Sequence, residues 1–175
     1  MIFEPLPIDG AQLISLEPRL DERGSFARIF CREELRRAGF DLEIVQMNLG
    51  SSIKKGTMRG MHLQTGDAAE QKIFRCIRGR VFDAFVDLRP SSPTYLESVG
   101  VELSAENGLA TYIPPGCAHG YLTLEDDSAV MYAVQAPYTP SKEIGYRWND
   151  PAFQIAWPFE PLVLTEKDRS WADYS

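Results

Sequence analysis

Residues 72–88, KIFRCIRGRVFDAFVDL, decide the fold class. Residues 72–77 and 81–88 are rich in β-branched and aromatic side chains, with Arg78-Gly79-Arg80 between them. Such side chains suit a pleated, half-buried surface. Two runs of this kind around a short glycine-bearing turn predict a hairpin. The pattern continues downstream. Residues 99–103, 109–113, 120–124 and 129–134 read as strands, parted by turn-rich pieces such as Ser104-Ala105-Glu106-Asn107-Gly108 and Pro114-Pro115-Gly116. Many short strands at regular spacing predict an all-β sandwich or barrel.

Working back towards the N-terminus, residues 44 onward alternate strand and turn, and residues 11–16 read as a further strand. Asp21-Glu22-Arg23-Gly24 is a turn and residues 25–30 are extended. One short helix is expected over residues 32–38, where Glu33 faces Arg37 at helical spacing and Gly39 supplies the stop. The tail from Pro137 is rich in Pro, Trp and Asp and reads as irregular, with short helical turns. There is no repeat and no low-complexity linker. At 175 residues the chain is expected to form a single domain over 1–175, long enough to bury a good core.

Composition narrows the function. A hydrophobic content of 44% and a charged content of 25% are ordinary for a globular protein. The net charge of −7 argues against nucleic acid, which needs a basic face, but leaves room for an anionic small molecule in a locally basic pocket. No apolar run is long enough to span a bilayer, so no membrane partner is expected. The N-terminus, MIFEPLPIDG, has acid and proline where a signal peptide would be apolar. Cys31, Cys76 and Cys117 are odd in number and scattered, with no CxxC pair. Neither a disulfide framework nor a zinc site is expected, and a reducing cytoplasm is the simplest home.

The chemistry gathers around residues 56–64, GTMRGMHLQ. His62 is one of only two histidines, and Arg59 stands three residues before it with Gly60 between. An imidazole moves protons near neutral pH, and a guanidinium grips anions with two prongs. Side chains alternate faces along a strand, so His62 and Gln64 share a face while Arg59 should point away. A bulge at Gly60 would bring Arg59 and His62 to one side. Lys72, Phe74 and Cys76 also share a face; the lysine is either functional or snorkelling at a strand end. His119 sits in the rigid turn PPGCAHG, either functional or bonded to a backbone carbonyl. Tyr132 is either an acid or a packing residue with a wet hydroxyl. With Asp83 and Asp168, these are the proton-transfer groups. Two histidines and no HxH pair are too few ligands for a cupin metal site, so no metal is expected. There is no Gly-rich phosphate loop and no nucleophile elbow.

The strings DERGSF, RGMHLQ, QKIFRCIRGRVFDAFVDLRPSSPTY, IPPGCAHGY, YTPSKEIGYRWNDPAFQIAWP and TEKD, in this order from Asp21 to Asp168, resemble the nucleotide-sugar 3,5-epimerase family. The resemblance implies a cupin-like jelly-roll sandwich without metal or cofactor, assembled as a homodimer that exchanges N-terminal strands. It implies a nucleotide-diphosphate-sugar substrate with a ketone at C4, so that a base can remove the acidified hydrogen at C3 or C5 and a proton can return on the other face. Deoxysugar and polysaccharide biosynthesis follow from the same resemblance.

The resemblance also assigns roles. His62 is the base and Asp168 bonds its other nitrogen. Lys72 faces the developing enolate oxygen, and Tyr132 is the acid on the opposite face. Arg59, His119, Glu143 and Lys167 hold sugar and phosphates, and Arg23 reaches the diphosphate from the partner subunit. Gln46 and Asn48, two apart on one strand face, line the nucleotide pocket, and Tyr138 stacks on the base. The chain departs from the family at Arg28, where glutamate is usual, and at Met47, where aspartate is usual. Both departures bear on the nucleotide half, and Arg28 leaves open whether the base is thymine or one with an acceptor edge. The rival readings are a mono-epimerase of a CDP- or GDP-sugar pathway, a non-catalytic sugar-binding cupin, and a metal oxygenase.

Overall fold

The computed structural model describes residues 1–175. Thirteen strands follow one another: β1 (Ile2–Pro5), β2 (Gln12–Ser15), β3 (Arg19–Asp21), β4 (Gly24–Phe26), β5 (Gln46–Ser52), β6 (Met58–Gln64), β7 (Lys72–Arg78), β8 (Arg80–Asp87), β9 (Ser98–Ser104), β10 (Ala110–Ile113), β11 (Cys117–Thr123), β12 (Ser128–Val134) and β13 (Glu143–Gly145). Helix α1 (Arg32–Arg37) lies between β4 and β5, and α2 (Glu166–Arg169) lies near the C-terminus. One sheet has the order β1-β2-β10-β7-β12-β5 and the other β13-β6-β11-β8-β9, while β3 and β4 form a separate two-stranded ribbon. The sheets face each other as a sandwich, as the strand pattern predicts, and its form is the cupin-like jelly roll that the resemblance implies.

The predicted hairpin at 72–88 does not form. Both runs are strands, but β7 lies between β10 and β12 in the first sheet, and β8 lies between β11 and β9 in the second. Gly79 is the corner at which the chain changes sheets. It adopts φ +68°, and a Cβ there would stand 2.6 Å from Ser128 Oγ. Both strands carry apolar residues suited to the core between the sheets, which is why their composition resembled that of a paired hairpin. Phe74 and Cys76 of β7 meet Val81 and Phe85 of β8 across that core.

The remaining differences are local. Strand β11 begins at Cys117, so His119 belongs to a strand and not to the turn before it. The extended stretch after the first turn pairs only as far as Phe26. Helix α1 matches expectation, with a Glu33–Arg37 ion pair one turn apart. Its Leu35 is fully buried against Ile14, Leu42 and Ile73, on the outer side of the first sheet. The tail is more ordered than its composition predicts. Its β13 extends the second sheet beside β6, a second one-turn helix forms at α2, and Phe153, Trp157 and their neighbours cover that sheet's outer face over Met58, Val86 and Leu122. No helix is long and apolar enough to cross a membrane.

Candidate active site

Between the sheets, bordering the apolar core at Phe74 and Tyr121, is a cavity of about 440 Å³. Its walls are β5 (Gln46, Asn48), β6 (Arg59, His62, Gln64), β7 (Lys72, Phe74), β11 (His119, Tyr121) and β12 (Tyr132). Glu70, Tyr138, Glu143 and Asp168 complete it from the loops and the tail.

Arg59 and His62 both reach this cavity because the ladder slips between them. His62 pairs with His119, whereas Arg59 pairs with Tyr121, so three steps on β6 match two on β11. The extra residue is a bulge. Gly60 makes it possible: it adopts φ +124°, and a Cβ there would lie 2.5 Å from Gly120 Cα. The irregularity expected at Gly60 is therefore present, and Arg59 also donates to the Ser51 carbonyl at 3.1 Å.

His62 meets Asp168 through Nε2 at 2.5 Å. Thr165 caps α2 by accepting from the Asp168 N–H at 3.1 Å, which fixes the carboxylate's backbone. Burial acts to raise the Asp168 pKa, but the hydrogen bond and charge of His62, with help from Thr165 and Trp171, hold it below the ordinary carboxylate range. A second pair lies deeper. His119 Nε2 meets Asp83 at 2.6 Å, and the other oxygen of Asp83 accepts from the Thr111 hydroxyl at 2.7 Å, joining the two sheets. Burial drives the His119 imidazole below its usual value, with Asp83 opposing.

Phe74 is the floor on which His119, Tyr121 and Tyr132 rest, with ring centroids at 4.8, 5.2 and 6.0 Å. Burial raises the Tyr132 phenol, with nearby Glu70 adding to the effect and Arg59 opposing it, so the group keeps its proton at neutral pH. Lys72 is buried and paired with Glu70 at 3.1 Å. Glu70 also accepts from Gln64 Nε2 at 3.0 Å. Beside β5, Gln46 donates to Asn48 at 2.9 Å and accepts from the Tyr138 N–H at 3.1 Å. At the rim, Glu143 accepts from the Tyr138 hydroxyl at 3.0 Å and from Lys167. Burial acts to raise Glu143, and these two donors outweigh it and keep its pKa low.

Of the residues singled out from sequence, His62, Lys72, Tyr132, Asp168, Arg59, His119, Gln46, Asn48, Tyr138 and Glu143 all line this one cavity. Lys167 stands at its edge through Glu143. Arg23 and Arg28 lie outside it. Arg23 is exposed on the β3–β4 turn and paired with Asp21 at 2.5 Å, and Arg28 is bound to Glu34 of α1. Met47 is exposed at the edge strand, not in the cavity. Sequence reasoning missed Glu70 and Tyr121. Tyr121 is two residues beyond His119, and strand alternation alone puts both on one face. No group of three or more His, Cys, Asp or Glu side chains is arranged to hold a metal ion.

The family model described as dTDP-4-dehydrorhamnose 3,5-epimerase matches residues 5–175. The dTDP-4-dehydrorhamnose 3,5-epimerase of Sinorhizobium fredii is 42% identical over 171 residues, covering 97% of this chain and 88% of that one. The crystal structure of dTDP-4-dehydrorhamnose 3,5-epimerase from Bacillus anthracis, with TDP and PPi bound, has a TM-score of 0.95 at 33% identity and covers 99% of each chain. A 3'-monoepimerase from Streptomyces bikiniensis, in complex with dTDP-quinovose, has a TM-score of 0.89 at 33% identity, covering 97% of this chain and 86% of that one.

Proposed function

The chain belongs to the dTDP-4-dehydrorhamnose 3,5-epimerase family, and on that premise we propose that it inverts C3 and C5 of a dTDP-linked 4-keto-6-deoxyhexose. The observation that carries this reading is the meeting of the His62–Asp168 pair, Lys72 and Tyr132 in one cavity between the sheets. An acid, a base and a cation around one space are what enolisation next to a ketone requires.

In this mechanism Asp168 accepts from His62 Nε2–H and so presents Nδ1 as the free basic nitrogen. His62 removes the hydrogen from C3 or C5 as a proton; the electron pair of that C–H bond forms a double bond to C4, and the carbonyl π pair moves onto the C4 oxygen. Lys72 faces the oxygen as it gains charge, and Glu70 holds the ammonium in place. Tyr132 returns a proton to the same carbon from the opposite face, which inverts it. Its raised pKa keeps it protonated and ready to donate. Arg59 and His119 bind the sugar and phosphates, with Glu143 and Lys167 at the rim. Gln46 and Asn48 contact the nucleotide, and Tyr138 stacks on the base. The ketone supplies the acidity, so the residues can carry the reaction without a cofactor.

The working form in this proposal is a homodimer in the cytoplasm, with residues 1–175 as one epimerase domain. Two observations support the dimer. Val45, Met47 and Leu49 are exposed at and just before the edge strand β5, and Phe26 and Arg23 are exposed on the β3–β4 ribbon. A second copy would cover the apolar edge, and Arg23 of the partner subunit would reach the diphosphate. All three cysteines are free thiols, which suits a reducing compartment.

The test is incubation in deuterated water with the dTDP-linked 4-keto-6-deoxyhexose. Deuterium at both C3 and C5 is expected. Deuterium at one carbon alone would assign a mono-epimerase, the second reading favoured by the likeness to the 3'-monoepimerase. No deuterium at either carbon would leave a binding protein.

A further inference from the structure

Trp171 is unused by the mechanism above, yet it is built into the back of the reacting histidine. Its indole lies edge-on to His62, with ring centroids 6.4 Å apart and planes at 68°. The ring sits against Gly145, the residue paired with His62 across the β13–β6 ladder. A Cβ at position 145 would stand 2.3 Å from Trp171 Cε2, so the indole occupies space that only glycine leaves. Lys167 lies over the same ring at 5.7 Å, on its way to Glu143. The indole Nε1 is buried and has no partner in full hydrogen-bond geometry. A buried N–H without an acceptor costs free energy unless a use for it compensates. Asp168 lies three residues before Trp171, at the same end of α2, and the tryptophan is among the neighbours that lower the Asp168 pKa.

We infer that Trp171 is a positioning residue for the His62–Asp168 pair, with its indole N–H completing a Trp–Asp–His chain already in the free protein. Hydrogen bonds in a free active site are often long and tighten only in the complex. The N–H would fix the rotation of the carboxylate and so the plane of the imidazole, while the ring keeps water from the far side of the pair. This inference rests on the proposed function for its role in turnover, but the geometry of the pair can be tested without substrate.

Two replacements separate the N–H from the ring. Trp171→Phe removes the donor and part of the surface. Placing 3-benzothienylalanine at position 171 exchanges the N–H for sulfur in a ring of the same shape, so folding is preserved. An N–H aimed at a carboxylate draws charge from it, and removing the donor leaves more negative charge for the imidazolium. The other charged neighbours, Glu143 on β13, Lys167 on α2, His119 on β11, and Arg59 and Lys72 across the cavity, stay in place in both variants.

The chain has two histidines, so histidine-selective ¹⁵N NMR of the free protein follows the pair's titration directly. In both variants the titration should move to higher pH than in the wild type. Deuterium exchange into the sugar should fall about tenfold with KM unchanged, the size of one charge-assisted hydrogen bond felt in the transition state. A titration unmoved in the benzothienyl variant would overturn the inference, whatever happens to its melting temperature. A wild-type protein that exchanges no deuterium would count against the proposed function alone, because the NMR titration still decides the role of Trp171.

Discussion

His62 and His119 stand directly opposite each other on β6 and β11, and each is held through Nε2 by a carboxylate of its own. Cross-strand partners project to the same face of a sheet, so both rings address the same cavity. Their settings differ. The His119–Asp83 pair is sealed in the sandwich and tied to Thr111 on the other sheet. The His62 side chain keeps 29% of its surface open, and its carboxylate comes from the tail. A sealed ring can orient a ligand, whereas the open ring can also exchange a proton with it.

That contrast predicts which residue removes protons. His62→Ala should abolish deuterium incorporation at both carbons. Tyr132→Phe should spare exchange more than net inversion, because every exchange needs a base while only completed inversion needs the acid on the far face. NMR of the recovered sugar reads both quantities in one sample. Equal loss of exchange in the two variants would reverse the assignment.

Acid stability should report on a different carboxylate. Asp87 is buried at the end of β8 and bonded by Arg89 at 2.7 Å, Ser92 at 2.5 Å and Thr94 at 2.8 Å. Burial acts to raise its pKa, and these donors more than reverse the effect, leaving it far below the ordinary carboxylate value. A group depressed on folding contributes stability above its unfolded pKa, near 3.9, and loses it as pH falls towards the folded value. Asp87→Asn should therefore cost about 3 kcal/mol at pH 7, the scale of breaking a buried ion pair. The gap from wild type should narrow at pH 3. Urea unfolding at both pH values measures it, and an equal gap at both would exclude the linkage.

Much of this was legible in the sequence because strand alternation is a local rule. Lys72, Phe74 and Cys76, or Gln46 and Asn48, share faces by spacing alone, and the structure keeps both groups together. The position of Gly60 between Arg59 and His62 signalled the bulge. What local pattern could not supply was sheet membership. A corner at Gly79 and a hairpin at Gly79 need the same residues, and only the pairing of β7 with β12 and of β8 with β11 tells them apart. Asp168 belongs to the same class. It lies 106 residues from His62, and no periodicity links them, so its pairing with His62 entered only through the TEKD resemblance. Glu70 lies in the loop before β7, where strand parity does not apply.

Gly60 offers a test of the bulge. Alanine there must adopt φ +124° and place its Cβ 2.5 Å from Gly120 Cα and 2.7 Å from the His119 carbonyl, both of them backbone atoms that cannot swing aside. Gly60→Ala should destabilise the fold by roughly 3 kcal/mol, as expected where strain and a clash combine. It should also lower exchange at temperatures where the variant is still folded, because Arg59 and His62 would lose their common face. Thermal unfolding and exchange rates on the same preparation check both effects. A variant as stable and active as the wild type would show that the bulge does not depend on glycine.

The nucleotide half of the proposed site turns on Arg28, at a position where the resemblance implies glutamate. Thymine offers an N3–H donor between two carbonyls, and a guanidinium has only donors, so Arg28 cannot accept that hydrogen. It would suit an acceptor edge, such as O2 and N3 of cytosine or O6 and N7 of guanine. The sequence therefore left two possibilities, an arginine that reads such a base or one turned away from it. In the structure Arg28 Nη1 donates to Glu34 of α1, and the guanidinium lies outside the cavity that holds Gln46 and Asn48. With Arg28 engaged by Glu34, the proposed function leaves base choice to Gln46, Asn48 and Tyr138. The expected result is tighter binding of dTDP than of CDP or GDP, with the order unchanged in Arg28→Ala. Isothermal titration of the three nucleotides against both proteins measures this. A preference for CDP or GDP of about tenfold or more, within the roughly 1–3 kcal/mol of a bidentate contact to a base, would return Arg28 to the base edge if it vanished in Arg28→Ala.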